Sequence, residues 1–263
     1  MPMEDNIFSI IFLIIYLSII FITLTIAFIN RPKLLDFNWK LIFWSFLILA
    51  IGDLFHLIPR VYLWYLYSFK NQLNIYKTSF GIFWYGFGLV LTSITLTIFY
   101  LCMYLFWRNF YIGNSKLNEK SILIKYKSKI FSLDFLAIFL TISRLGLISL
   151  PWNSYGSNPI YFFGWLSFRY ISNIPLYLLG SEVIILFIRT SKSLKNEELE
   201  LELKNINDVV YKSGLWFLVS YICYSITLFG VKFDSKLGMF MIPKTIAYII
   251  VLFYFYKNLL RKR

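Results

Sequence analysis

The stretch LIFWSFLILAIGDLFHLIPRVYLWY, residues 41–65, decides how the chain is read. It is apolar and long enough to cross a bilayer as a helix, yet it carries Asp53, His56 and Arg60 near its middle. Their spacing of i, i+3, i+7 puts all three within roughly 60° of arc, on one helix face. His56 is the only histidine of the chain. Pro59 has no N–H to donate, so it leaves the carbonyl of Phe55 bare and is expected to kink the helix beside the charges. Ionisable groups at bilayer depth are costly and mark a functional site by default.

Outward from this stretch, similar apolar runs recur along all 263 residues. The chain is 59% hydrophobic, with a mean hydropathy of +0.68, well above the composition of a soluble domain. The expected fold is all-α: a single domain, residues 1–263, forming a polytopic seven-transmembrane-helix bundle. Its spans are expected near 7–29, 41–65, 79–107, 130–150, 166–188, 214–230 and 237–256. The first run follows an acidic N-terminus rather than a basic one, so it reads as a retained span and not as a cleaved signal peptide. No internal repeat marks an inverted-repeat transporter.

The net charge of +13 suits nucleic acid in a soluble protein. Here the charge lies in short loops between spans, and no nucleic-acid partner is expected. Eighteen of the 26 Lys and Arg residues fall in the loops after spans one, three and five and at the C-terminus. Four fall on the opposite side, and the other four, Arg60, Arg144, Arg169 and Lys244, lie within spans. The positive-inside rule then places the N-terminus outside and the C-terminus in the cytoplasm of a plasma or inner membrane.

This topology gives each buried polar residue a depth. Arg60, Arg144, Arg169 and Lys244 come to the outer half on four spans, with Asp53 as the nearest acid, while Asp134 and Glu182 fall in the inner half. Unpaired charge in a dry interior costs several kcal/mol per ion, so the excess of cations points to a wet cavity or a bound anion. Arginine matches phosphate and carboxylate by paired hydrogen bonds. The expected ligand set is Arg60, Arg144, Arg169 and Lys244 for charge, with Asn173, Thr97, Tyr100 and Tyr248 for directional bonds. The corresponding function is to bind, sense or transport an anionic or amphipathic, lipid-like molecule. Because Arg144 lies deeper than Arg60, which can reach the interface along its own stem, Arg144 is expected to matter more.

Three other readings compete. Intramembrane ion pairs, such as Asp53 with Lys244 or Arg144, could simply hold the bundle together. An intramembrane enzyme acting on a lipid or lipid-linked substrate would use His56 as general base or nucleophile and Asp53 as its partner one turn away. A lysine in the last span also fits the architecture of a retinal protein, but the acid expected in the third span is missing, and so is one a turn before Lys244, where Phe240 stands. Metal ligation is not expected, because the two cysteines, Cys102 and Cys223, lie in separate spans. No cofactor is expected either. Gly86, Ser93, Thr97, Tyr100 and Tyr104 form a stripe suited to helix packing, and Ser220, Tyr224 and Thr227 share a face of the sixth span. Segment 108–129 reads as a basic loop and 151–165 as an uncharged interfacial loop. Segment 189–212, with its acidic run, reads as a helical extension near the membrane and a docking place for a cytoplasmic protein.

Overall fold

A computed structural model describes residues 37–69, 78–114, 117, 121–153, 161–162, 166–195, 197–230 and 233–260, with isolated helical positions at Ile14, Ser18, Phe21, Ile22 and Thr25. The span expected over 7–29 otherwise lies outside the described residues. The chain is helical: α1 (Phe37–Phe69), α2 (Ser79–Trp107), α3 (Ser121–Ser128), α4 (Ile130–Ser149), α5 (Phe168–Leu194), α6 (Leu201–Gly230) and α7 (Met241–Leu260). The one exception among the described residues is a two-residue antiparallel pairing of Tyr161–Phe162 with Leu166–Ser167. Among the described residues six helices are long and apolar enough to cross a membrane, all of these but α3.

Their surface agrees with that environment. On α4, Phe131, Phe135 and Phe139 recur every fourth residue and are 81%, 63% and 54% exposed. In water such a stripe would be an aggregation liability; against acyl chains it costs nothing. The core is aromatic instead. Phe99 of α2 is fully buried and meets Phe46 of α1, Phe217 of α6 and Tyr248 of α7, with ring centroids 5.2, 5.7 and 5.1 Å away. All three are edge-to-face contacts, the geometry that ring quadrupoles favour.

The most extensive helix pair is α1 against α2, and glycine permits it. A side chain at Gly88 would sit 2.7 Å from the carbonyl oxygen of Phe55 and 3.0 Å from the α-carbon of His56. That carbonyl is the one Pro59 leaves without its helical donor. The bare oxygen therefore falls where the neighbouring helix has no side chain. A turn away, Thr92 donates to the carbonyl of Gly52 at 3.0 Å, and a β-carbon on Gly52 would run into Thr95. Such close approach through small residues is how helices associate without a hydrophobic drive.

The basic segment expected to be a loop over 108–129 is structured where it is described. Residues Arg108–Ile112 continue α2 as a π-helical turn, and α3 follows. Ile122, Leu123 and Tyr126 give α3 an apolar face; Leu123 is buried, and Tyr126 stands edge-on to Trp107 at 5.6 Å. Likewise α6 starts at Leu201, within the hydrophilic 189–212. Leu203, Ile206 and Val210 are buried at helical spacing, and the Asn207 side chain accepts from Tyr111 at 2.7 Å and donates to the Ser191 carbonyl at 2.9 Å.

Candidate functional site

Arg144 stands among apolar residues on α4 and is only 1% exposed. Its guanidinium donates to the backbone carbonyl of Ser172 and, through Nη2, to Oδ1 of Asn173 at 2.8 Å. Both acceptors belong to the second turn of α5. They are neutral, so they hold the guanidinium in place without cancelling its charge. Asn173 is fixed in turn: its amide donates to the carbonyl of Arg169 at 2.7 Å, and its Oδ1 also accepts from the Tyr224 hydroxyl of α6 at 2.7 Å. Behind it, Ser172 donates to Asn153 at 2.9 Å, and the Asn153 amide donates to the Leu147 carbonyl. Asn153 thereby satisfies an end carbonyl of α4 and ties that end to α5.

Tyr224 is where a second cation arrives. Lys244, in the first turns of α7 and 2% exposed, places Nζ 4.9 Å from the centre of the Tyr224 ring and 6.0 Å from that of Tyr248. A desolvated ammonium over an aromatic face gains about 2 kcal/mol. The Tyr248 hydroxyl lies 3.3 Å from that of Tyr100 on α2. Asp53 of α1, 5% exposed, acts electrostatically on both Lys244 and Tyr248. The helix start tolerates Pro243 because the first-turn N–H groups have no intrahelical acceptor anyway.

Six helices thus send polar side chains to one core: Asp53, Tyr100, Arg144, Asn173, Tyr224 and Lys244 each come from a different one. Of the residues expected to form the site, Arg144 and Asn173 are joined directly, and Lys244, Tyr248, Tyr100 and Asp53 gather beside them. Arg169 sits at the start of α5, half-buried, with its Nε buried and making no hydrogen bond among the described residues. His56 is buried on α1, where its backbone faces Gly88. Thr97 is fully buried, but its hydroxyl turns back to the Ser93 carbonyl at 2.7 Å and serves its own helix. Arg60 lies on α1, with its side chain outside the described residues. Tyr224, absent from the expected set, joins Lys244 to Asn173 and through Asn173 to Arg144. Its only sequence signal is the Ser220, Tyr224, Thr227 face.

Set against known protein families, characterised proteins and solved structures, the chain matches none. The geometry alone therefore carries the functional argument.

A second polar cluster lies toward the other end of the bundle. Asp134, near the start of α4, accepts from the Tyr104 hydroxyl at 2.7 Å and from Nε of Arg108 at 3.0 Å. Glu182 of α5 is within electrostatic range of both Asp134 and Tyr104. Its two carboxylate oxygens are buried and make no hydrogen bond among the described residues. Tyr100 and Tyr104, one turn apart on α2, belong to the two clusters respectively.

Proposed function

We propose that the chain is a seven-span protein of the plasma or inner membrane that binds an anionic or amphipathic, lipid-like molecule at the Arg144–Lys244 core, and senses or transports it. The observation that supports this is one polar chain holding two cations, 1% and 2% exposed: Arg144 donates to Asn173, Asn173 accepts from Tyr224, and Lys244 lies over the Tyr224 ring. Like charges in one low-dielectric core repel each other, and Asp53, acting on Lys244, offsets one of the two. An anion between them reverses the sign, and Arg169, with its buried Nε, stands next to Asn173 to add a third donor. Tyr100, Tyr224 and Tyr248 supply hydroxyls for orientation and rings for an apolar tail.

The test is native mass spectrometry of the purified protein beside an Arg144→Ala, Lys244→Ala double variant. A defined anionic species retained by the wild type and lost from the variant is expected. Equal retention by both, or none by the wild type, overturns the reading.

Asp53 and His56, both buried on α1 next to this core, favour a second reading as an intramembrane enzyme on a lipid or lipid-linked substrate. His56→Ala separates the two. Under the enzyme reading it abolishes turnover of the retained species and spares binding. Under the first reading there is no turnover to lose.

The charge distribution supports an orientation with the N-terminus outside and the C-terminus in the cytoplasm. A reporter fused to Arg263 is expected to be active only in its cytoplasm-dependent form, and activity restricted to the outside reverses the assignment. In this orientation 189–212 faces the cytoplasm, within reach of a protein partner.

A further inference from the structure

Where α3, the start of α4 and the end of α5 meet, the surface opens into a cleft of about 400 Å³. It is lined by Ile122, Lys125, Tyr126 and Lys129 from α3 and the turn after it, and by Arg189, Lys192 and Ser193 from the end of α5. Among the described residues no carboxylate lines it. The positive-inside rule accounts for basic residues in this part of the chain, but not for four of them closing on one concavity. Arg189 and Lys192, i, i+3 on α5, set like charges on one helical face, where they repel, and Lys125 near the end of α3 and Lys129 in the turn before α4 add two more.

The walls are firmly placed. Tyr126 packs edge-on against Trp107, and the Trp107 indole donates to Thr190 at 3.1 Å, next to Arg189 in sequence. Leu123 is buried beneath α3. The cleft lies level with the ends of two apolar helices, since α4 begins at Ile130 and α5 ends at Leu194. That is the height of a lipid headgroup, and Ile122 and Tyr126 offer an apolar edge to the upper acyl chain.

We infer that this cleft binds the phosphate headgroup of an anionic phospholipid. Arg189 presents paired donors to phosphate oxygens, the lysines act as point charges, and Ser193 adds a hydroxyl bond. The site is separate from the Arg144–Lys244 core, which lies at the other ends of α4 and α5, so either assignment can fail without the other.

The experiment titrates the full-length protein in detergent with phosphatidylglycerol or phosphatidylcholine of the same acyl chains, read by native mass spectrometry. The wild type is expected to retain phosphatidylglycerol preferentially. Each basic residue near an anionic headgroup is worth about fivefold in affinity, so Lys129→Gln with Lys192→Gln is expected to weaken retention roughly thirtyfold. Lys204→Gln with Lys257→Gln removes the same charge from exposed positions outside the cleft and is expected to leave it unchanged. If the cleft double variant does not fold, Arg189→Gln alone is expected to show about a fivefold loss. Three results overturn the inference: equal retention of the two lipids, equal weakening in both double variants, or displacement of the lipid by glycerol phosphate at equal concentration. The last would make a soluble phosphate the occupant.

Discussion

Arg144→Ala should abolish specific retention of an anionic amphiphile and should lower stability by about 3 kcal/mol. Two hydrogen bonds from a charged donor disappear, to the Ser172 carbonyl and to Asn173, each worth about 1.5–3 kcal/mol. The lower end applies because Asn173 Oδ1 keeps its bond from Tyr224. Arg144→Met separates binding from folding. Methionine loses the same two hydrogen bonds but fills much of the volume that alanine leaves empty, so this variant should melt above Arg144→Ala and still lose the ligand. Arg144→Lys keeps the charge but cannot reach both acceptors, and should fall between. Arg60→Ala should weaken retention less than Arg144→Ala. Thermal unfolding in detergent and native mass spectrometry read both quantities. An Arg144→Met protein that folds and retains the ligand at wild-type level would remove Arg144 from the site.

Gly88→Val should be the most damaging apolar substitution in the bundle, costing about 3 kcal/mol or more. Its β-carbon would meet the Phe55 carbonyl and the His56 α-carbon, both backbone. Backbone cannot rotate away as a side chain does, so α1 and α2 must separate. Overpacking ordinarily costs 1–3 kcal/mol, and here the displaced helix also carries Asp53 into the cationic core. Gly52→Ala should be milder because it adds a single carbon, although that carbon would lie 2.7 Å from the Thr95 β-carbon, which turning the side chain does not move. Gly146→Ala is the control: a β-carbon there meets nothing within 4 Å, and alanine is favoured over glycine in a helix by about 1 kcal/mol. Melting temperatures of the three variants should rank Gly146→Ala above Gly52→Ala above Gly88→Val. A Gly88→Val protein as stable as the wild type would mean that the seam is not as tight as the structure has it.

Apolar runs made the helical, multi-pass class legible, because hydrocarbon leaves helices and closed barrels as the only spanning structures. Facial arithmetic was also informative for α2: of the stripe over Gly86, Ser93, Thr97, Tyr100 and Tyr104, all but the half-buried Ser93 are buried in the bundle. It was weaker for α5. This helix packs against α2, α4 and α6, so Asn173 and Glu182, on different faces, both find polar surroundings. A helical wheel gives direction but not neighbour, and direction says little for a helix enclosed on several sides. Tyr224 was missed for a related reason, since its role depends on where Asn173 and Lys244 come to rest. The Arg144 bond to a backbone carbonyl has no side-chain signature at all. Over 197–203 the alternation of Glu and Leu resembles a strand, but the helical extension expected there forms from Leu201, with Leu203, Ile206 and Val210 buried at helical spacing.

The placement of Tyr100 and Tyr104 has an electrical consequence. They are one turn apart on α2, about 6 Å of rise, yet one belongs to the cationic cluster and the other to the acidic one. Polar groups therefore reach from both ends of the bundle to within a turn of each other. That step is about a fifth of a hydrocarbon core of about 30 Å. In a bilayer, a charge moved across this one turn would pass from a cationic to an acidic neighbourhood.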